Sequence, residues 1–206
     1  WPMNKILVEI EHLFAGYNQN IVLRDMSLKI CERDFWGITG PNGGGKTTLI
    51  KVILGLVKPF SGKIKYADSL KNRIGYMPQT NSIDRQFPIV VSEMVASGLN
   101  ATPKLSPEEK KERIQSVIRE MGLEELENRP IGQLSGGQLQ RALLGRAIIG
   151  QAELLILDEP NSYLDAGFES HFNRLLSEIN RQAAIVLISH DTDAIAAMTK
   201  NTLIVN

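Results

Sequence analysis

The stretch from Phe35 to Leu56 constrains the fold more than any other part of the sequence. Phe35 to Thr39 is short, apolar and strand-like, and it leads directly into a glycine-rich segment over residues 40–45. Thr47 to Leu56 then carries apolar residues at helical spacing, with Gly55 near the end of the predicted helix. A strand that turns through a tight loop into a helix is the repeating unit of α/β folds with a mostly parallel sheet. We therefore predict an α/β fold around this segment.

The glycine-rich segment has the spacing Gly-x4-Gly-Lys-Thr, which is the complete phosphate-binding loop (P-loop) pattern. Glycines let backbone N–H groups turn toward a polyphosphate, and the positive end of the following helix favours the same anion. Lys46 is expected to pair with the β and γ phosphates, and Thr47 to bind Mg²⁺ through its hydroxyl. The alternative, a glycine-rich turn with no ligand, is disfavoured by the complete spacing. The predicted nucleotide-binding residues of this loop are Gly40, Pro41, Asn42, Gly43, Gly44, Gly45, Lys46, Thr47 and Thr48.

The length and composition of the chain indicate a single globular domain. With 206 residues it can bury one large core, and we expect one domain over residues 1–206. Its 23 basic and 23 acidic residues balance, so bulk charge gives no support to nucleic-acid binding, and no nucleic-acid partner is expected. No segment approaches the ~20 apolar residues that span a bilayer, and no signal peptide is expected. Any role at a membrane therefore requires a membrane-embedded partner.

The rest of the chain alternates between strand-like and helix-like segments. Ile6 to Ile10 and Ile21 to Ile30 show the alternation of half-buried antiparallel strands, whereas Leu154 to Leu157 and Ala184 to Ile188 are continuous apolar runs typical of buried parallel strands. The other predicted elements are a strand over Arg73 to Met77, two helices between Val91 and about Leu123 with a break at residues 101–103, and a helix over Gln138 to Ile149. The sequence thus predicts a mostly parallel sheet, an antiparallel β-subdomain in the N-terminal part, and an inserted α-helical subdomain at about residues 80–137.

Two acidic residues follow the apolar run Leu154 to Leu157. Asp158 and Glu159 would lie at the carboxyl end of a buried strand, where side chains reach the crevice at the edge of a parallel sheet. Asp158 is expected to hold Mg²⁺ directly or through water, and Glu159 to polarise the attacking water as general base. An apolar strand ending in Asp-Glu is common, so the assignment depends on the P-loop in the same chain.

Two further polar residues, Gln79 and His190, follow strand candidates. Gln79 comes after Pro78, which stops the strand ending at Met77, and His190 comes after the strand ending at Ile188. A lone histidine after a strand is usually structural, and a lone glutamine carries almost no information. Their interpretation depends on the motifs around them.

Residues 134–138, Leu-Ser-Gly-Gly-Gln, resemble the signature motif of the ATP-binding cassette (ABC) family and precede Asp158-Glu159 as they do in that family. By itself the pentapeptide also suits a helix cap with glycines. Together with the P-loop and the Asp-Glu strand, in this order, it identifies the chain as a member of the ABC family from about Lys5 to Val205. The resemblance implies an ATPase of the P-loop NTPase fold that uses ATP and Mg²⁺, with the signature motif at the end of the helical insertion.

The resemblance also assigns roles to single residues. Tyr17 corresponds to the aromatic residue that stacks on adenine, although a surface tyrosine in a Gly-Tyr-Asn turn is the alternative. Gln79 corresponds to the glutamine that links nucleotide and Mg²⁺ to the helical insertion, His190 to the switch histidine at the γ-phosphate, and Asp165 to the aspartate that acts across the dimer. The implied catalytic residues are Glu159, His190 and Lys46, the implied metal ligands are Thr47, Gln79 and Asp158, and the implied signature contacts are Ser135, Gly136, Gly137 and Gln138.

Residues 135–137 also suggest how the site is completed. A serine and two glycines at a helix start offer a second anion site made of a hydroxyl, close backbone and a helix dipole. That site lies on the insertion and cannot easily fold onto its own P-loop. A second copy related by two-fold rotation, or a paired ABC subunit, could supply it and enclose ATP between two chains. Hydrolysis would then loosen the dimer.

The resemblance further indicates an importer. Single-domain members commonly serve importers, and Arg129 to Gln133 resembles the importer form. The segment from Ile74 to Gly98 is similar to the ATPases of zinc and manganese importers. An integral membrane permease, a separate substrate-binding protein and a cytoplasmic location on the inner face of the cell membrane follow from this resemblance. Ile83 to Val91 would form the groove for a permease helix, with an ordinary solvated loop as the alternative.

The sequence departs from the family pattern at two positions in its motifs. Gly44 stands where serine is frequent, which removes a side chain and leaves the backbone of the loop intact. Tyr163 stands in the segment Asn161 to Asp165 where a small residue is usual, which bears on packing across the dimer.

Two other functions are open at this point. A soluble ABC protein acting on DNA, ribosomes or cluster assembly would usually carry a long coiled-coil insertion, paired cassettes or appended segments, whereas the insertion here is short. A P-loop kinase would leave Leu134 to Gln138 and His190 unexplained, and it would form a phosphorylated acceptor instead of free phosphate.

Overall fold

The structure, a computed structural model, describes residues 5–101, 105–160, 166–190, 195 and 198–205. Its strands are β1 (Ile6–Tyr17), β2 (Asn20–Cys31), β3 (Phe35–Thr39), β4 (Ser61–Tyr66), β5 (Ile74–Met77), β6 (Leu154–Asp158), β7 (Ala184–Ile188) and β8 (Asn201–Ile204). Its helices are α1 (Lys46–Ile53), α2 (Val91–Ser97), α3 (Pro107–Glu120), α4 (Gly136–Ile148) and α5 (Ala166–Asn180). Short 3₁₀ turns lie at Asp68–Leu70, Thr80–Ser82, Gly98–Ala101, Glu124–Leu126 and Ile131–Gln133.

The N-terminal part forms an antiparallel sheet with the strand order β2-β1-β4. β1 and β2 make a hairpin in which Tyr17 pairs with Asn20, and the two turn residues Asn18 and Gln19 have φ values of 47° and 67°. Positive φ at both central positions is the geometry that matches the twist of a hairpin. The predicted antiparallel β-subdomain is confirmed, with both strands longer than expected.

A second sheet is parallel and has the strand order β5-β6-β7-β3-β8. Side chains of β6 alternate between two cores: Leu155 and Leu157 belong to one, and Leu154 and Ile156 to the other. All four are buried, which explains why this strand reads as a continuous apolar run. The predicted α/β fold with a mostly parallel sheet is confirmed.

The two cores lie on opposite faces of the parallel sheet. One contains the apolar side chains of α1 and of the antiparallel sheet, and the other contains those of α2, α3, α4 and α5. Each helix buries its apolar face against one side of the sheet. The boundaries proposed for the helical insertion, about residues 80–137, stay a prediction.

The helices begin close to the predicted residues. α1 starts at Lys46 and α4 at Gly136, and α3 starts at Pro107, after the break predicted at residues 101–103. Ser106 caps α3, because its hydroxyl accepts a hydrogen bond from the Glu109 backbone N–H at 3.2 Å. None of the described helices has the length and apolar composition that crossing a bilayer requires.

Candidate active site

The glycine-rich loop after β3 encloses the side chain of its own lysine. Lys46 is buried, and its Nζ donates to the carbonyl oxygens of Gly40 at 2.7 Å and Pro41 at 2.9 Å. Gly45, the N-terminal cap of α1, has a φ of 104°, a conformation that residues with a Cβ rarely adopt. Charge-assisted hydrogen bonds to phosphate oxygens are stronger than those to neutral carbonyls. An anion bound in the loop could therefore replace these two carbonyl oxygens as the hydrogen-bond acceptor of the Lys46 ammonium.

The structure gives a reason for glycine at position 44. A Cβ built on Gly44 would lie 2.7 Å from the carbonyl oxygen of Val205 and 3.1 Å from that of Pro41. Val205 follows β8, and its N–H donates to the carbonyl oxygen of Thr39 at 2.9 Å. Because this backbone lies directly against the loop, a serine at position 44 would require the backbone to move.

Asp158 ends β6 as a nearly fully buried carboxylate. It is 2% exposed, and the side-chain Nε2 of Gln79 donates to its Oδ1 at 3.4 Å. Burial raises the pKa of Asp158 to about 6, while the hydrogen bond from Gln79 and the positive charge of Lys46 oppose that rise. The structure thus brings Lys46, Gln79 and Asp158 together, although they come from three separate segments.

Glu159 occupies the sharp turn that follows β6. Its φ is 52°, and its backbone N–H donates to the carbonyl oxygen of Ile188 at the end of β7. Its carboxylate lies 3.6 Å from Nδ1 of His190, whose side chain is 69% exposed. A left-handed conformation at a residue other than glycine often marks a functional position. Glu159 and His190 therefore lie together at the carboxyl edge of the parallel sheet.

The oxygen atoms near Asp158 fit Mg²⁺ better than a metal that needs a full protein cage. Among the residues described, no group of three or more His, Cys, Asp or Glu residues is placed to hold a metal ion. Mg²⁺ is usually bound by one or two protein oxygens together with phosphate oxygens and waters. A magnesium site of this kind could be formed by the exposed Thr47 at the start of α1, the Asp158 carboxylate and the Gln79 side chain.

Tyr17 lies at the end of β1 with 42% of its surface exposed. The Nζ of Lys51, on α1, lies 5.7 Å from the centroid of the Tyr17 ring. The aromatic side chain predicted to stack on adenine therefore stands next to the P-loop helix.

The signature segment forms the N-terminal cap of α4. The Ser135 hydroxyl accepts from the Gln138 N–H at 3.2 Å, and the Gln138 side chain accepts from the Ser135 N–H at 2.9 Å. Gly136 and Gly137 form the first turn, and Ser135 is exposed. Within the described part of the chain, no hydrogen bond joins this cap to the P-loop. The predicted helix cap is confirmed.

One side chain that sequence reasoning missed connects α4 to the end of β6. Gln140 is 1% exposed, and its Nε2 donates to the carbonyl oxygen of Pro160 and, at 3.5 Å, to that of Glu159. Its sequence signal was a single polar residue on a buried helix face next to Leu139 and Ala142. Gln140 therefore ties the signature helix to the backbone beside Glu159.

The segment predicted to face a permease is anchored to the signature segment. Arg85 donates from Nη1 to the carbonyl oxygen of Leu134 at 3.3 Å, and the Phe87 side chain is 59% exposed. Ile83 packs against the core of the helical side. Asp165 and the segment Asn161 to Asp165, with Tyr163, lie outside the described residues, so the prediction for them is untested by the structure.

Known proteins resemble this chain over most of its length. Residues 23–162 match the family described as ABC transporter. The manganese transport system ATP-binding protein MntB of Bacillus subtilis is 39% identical over 191 residues, covering 89% of this chain and 76% of that protein. The zinc import ATP-binding protein ZnuC of Buchnera aphidicola is 33% identical over 203 residues, covering 98% of this chain and 81% of that protein.

A solved structure shares the fold over nearly the whole chain. It is described as an inward-facing conformation of a metal-chelate type ABC transporter, with 28% identity and a TM-score of 0.80, covering 99% of this chain and 80% of that one. The match of the family to residues 23–162 spans the P-loop, the signature segment and the Asp-Glu strand end. The chain belongs to the ABC transporter family, in which it is an ATP-binding, ATP-hydrolysing subunit.

Proposed function

We propose that this chain binds ATP with Mg²⁺ between two copies of itself and hydrolyses it to drive import of a divalent metal, zinc or manganese. One observation carries the proposal. Five predicted site residues lie at the start of a helix or at the ends of separate strands, yet they meet at one edge of the parallel sheet. They are Lys46, Gln79, Asp158, Glu159 and His190. That edge is where parallel sheets bind nucleotides.

The P-loop binds the triphosphate in this proposal. Backbone N–H groups of residues 42–48 and the N-terminal end of α1 surround the phosphates. Lys46 exchanges its two carbonyl partners for β and γ phosphate oxygens. Tyr17 stacks on the adenine ring.

Thr47, Asp158 and Gln79 would hold the Mg²⁺ that accompanies ATP. When bound, the ion would neutralise charge on the β and γ phosphate oxygens. The buried carboxylate of Asp158 supports this assignment, because it carries a desolvation cost that a cation would offset.

Glu159 acts as the general base. Its carboxylate accepts a proton as water attacks the γ-phosphorus, and its strained backbone fixes the carboxylate at the end of β6. The exposed imidazole of His190 lies 3.6 Å from that carboxylate, and it contacts the γ-phosphate in this proposal. Hydrolysis releases inorganic phosphate and ADP.

A second copy supplies the other half of the site. α1 packs in one core and α4 in the other, on opposite faces of the sheet. Ser135, Gly136, Gly137 and Gln138 therefore meet a γ-phosphate bound to another chain, with Asp165 acting across the same interface. Gln140 transmits the position of this cap to Glu159 through the backbone contacts at Glu159 and Pro160.

The transported ion is proposed from the relatives. Over the aligned residues, a protein named for manganese transport is 39% identical to this chain and one named for zinc import is 33% identical. The ATPase would work in the cytoplasm, on the inner face of the membrane, through a permease contacting Ile83 to Val91, and the complete system would include a substrate-binding protein. The exposed Phe87 side chain and the link from Arg85 to Leu134 favour a contact surface here over an ordinary loop.

Glu159→Gln tests this function in the protein and in cells. The purified variant should bind ATP with unchanged affinity but hydrolyse it at least roughly 100-fold more slowly, because the amide cannot accept the proton.

Cells that lack the chain should lose uptake of radioactive zinc or manganese, and the wild-type gene should restore it while the Glu159→Gln gene should not. Normal phosphate release by the variant would remove Glu159 from the base role. Unchanged uptake of both metals in the deletion strain would reject metal import, and association with DNA or ribosomes would favour the soluble ABC function.

A further inference from the structure

Lys51 is a cation next to the nucleotide site that the mechanism above does not use. It lies five residues after Lys46 on α1, which places it about 7.5 Å further along the helix axis and roughly 140° around it. Its ammonium lies 5.7 Å from the centroid of the Tyr17 ring. Among the residues that the structure describes, no carboxylate forms an ion pair with it.

The helix dipole by itself favours a lysine at position 51. A lysine in the last turn of a helix interacts favourably with the negative end of the helix dipole. That explanation accounts for a positive charge at this position, but it does not account for a direction toward an aromatic ring. An ammonium within about 6 Å of a ring centroid is attracted to the π face.

We propose that Lys51 is a positioning residue for the nucleotide base: its ammonium covers one face of the Tyr17 ring and so presents the opposite face to adenine. The Tyr17 side chain is 42% exposed, so a face remains accessible to a planar ligand. Holding the ring before the base arrives lowers the entropy lost on binding. The inference rests on the proposed adenine contact of Tyr17.

The test is a double-mutant cycle that compares a ligand with a base and a ligand without one. ADP and pyrophosphate are used because neither is hydrolysed, and both are titrated calorimetrically with Mg²⁺ at one ionic strength. Lys51→Met keeps the helix propensity and the apolar stem of lysine while removing the charge. It should weaken ADP binding about two- to fivefold and leave pyrophosphate binding unchanged. Lys51→Arg should restore ADP binding, since a guanidinium also stacks on an aromatic face.

The effect of Lys51→Met in the Tyr17→Leu background shows whether Lys51 positions the Tyr17 ring or only attracts the phosphates. There, Lys51→Met should have no further effect on ADP binding, because the ring that it positions is absent. Lys58→Met, which removes an exposed charge just beyond α1, is the matched control and should change neither affinity. An equal loss of ADP and pyrophosphate affinity would show that Lys51 attracts phosphate and would overturn the proposal. So would an undiminished effect of Lys51→Met in the Tyr17→Leu background. If Tyr17→Leu alone leaves ADP affinity unchanged, the adenine contact itself fails, and positioning by Lys51 fails with it.

Discussion

The buried carboxylate of Asp158 is the most unusual electrostatic feature of the site. It is 2% exposed, and burial raises its pKa to about 6 although Gln79 and Lys46 favour the charged form. In the metal-free protein at neutral pH the ionised side chain therefore destabilises the folded state. Binding residues frequently carry such a cost, because the ligand later offsets it.

Replacing Asp158 by asparagine should stabilise the metal-free protein at pH 7.5. The folded-state pKa of about 6 lies above the ordinary value of 3.8, so the stability contributed by protonated Asp158 is complete below pH 3.8 and is lost as the pH rises through 6. Asparagine is neutral at every pH and avoids that loss. We expect a free energy of unfolding about 2 kcal/mol higher at pH 7.5, and a smaller difference at pH 4.5, by urea unfolding in EDTA.

Glu124→Gln is the control for this experiment, since it removes an exposed carboxylate. It should leave the free energy of unfolding unchanged at both pH values. A lower stability of Asp158→Asn at pH 7.5, or a gain independent of pH, would contradict the account of Asp158.

At the scale of elements, the sequence predicts those strands whose burial produces a recognisable pattern of apolar and polar residues. β6 and β7 are buried along their whole length and read as apolar runs, whereas the hairpin strands alternate. β4 and β8 were not predicted. Five of the six residues of β4 are exposed, and β8 is an edge strand with no fully buried residue, so neither carries a hydrophobic period. Both are defined by backbone pairing with strands distant in sequence, which a local pattern does not encode.

The same distinction separates the site residues that could be predicted from those that could not. Asp158 directly follows a predicted strand, and Gln79 and His190 each lie two residues past the end of another. The carboxyl ends of parallel strands meet at one edge, so the sequence could place these residues together. Gln140 and Lys51 lie within helices, and their contacts with Pro160 and Tyr17 depend on how separate elements pack. Three-dimensional packing, not local sequence, brings those pairs together.

Gly75 tests how closely β5 and α4 must approach. A Cβ at this position would lie 2.2 Å from the carbonyl oxygen of Ala147 in α4, and 3.1 Å from the side chain of Leu155. Gly75→Ala should therefore force β5 and α4 apart by roughly 1 Å and destabilise the fold by about 1–3 kcal/mol. Gln79 follows β5 and Ser135 caps α4, so moving the two elements apart would displace both residues. The ATPase rate of the folded protein, measured by phosphate release, should therefore fall as well.

Gly55→Ala is the comparison for Gly75→Ala. Its Cβ would meet no atom within 4 Å, but its φ of 72° is unfavourable for alanine. It should cost about 1 kcal/mol in urea unfolding without lowering the ATPase rate of the folded protein. Equal ATPase rates for the two variants would show that the spacing of β5 and α4 does not control the site.

At the scale of the whole molecule, the proposed function requires that one chain carries two incomplete halves of an ATP site. The P-loop, Asp158 and Glu159 form one half, and the exposed cap at Ser135 forms the other, on a helix that packs against the opposite face of the sheet from α1. In the function proposed above, a complete site forms only when the chain pairs with a second copy in a two-fold arrangement. Each dimer then contains two sites, and each site takes one half from either chain.

Mixing two inactive variants tests this arrangement. Lys46→Ala damages only the P-loop half, and Ser135→Arg damages only the cap half, so each variant alone should show almost no ATPase activity. In a mixed dimer both lesions fall in one site, and the other site combines two intact halves. With equal amounts and random pairing, half of the dimers are mixed, and about one quarter of all sites should regain activity. Phosphate release measured against the mixing ratio should peak at equal amounts.

Lys46→Ala mixed with Glu159→Gln is the matched control for this result. Both lesions lie in the P-loop half, so every site of every dimer contains one of them, and mixing should restore no activity. Recovery in the first mixture and none in the second requires that each ATP is held by both chains, because a site within a single chain cannot be repaired by its neighbour. Should neither mixture recover while Ser135→Arg still folds and binds ATP, the two halves do not meet across a dimer.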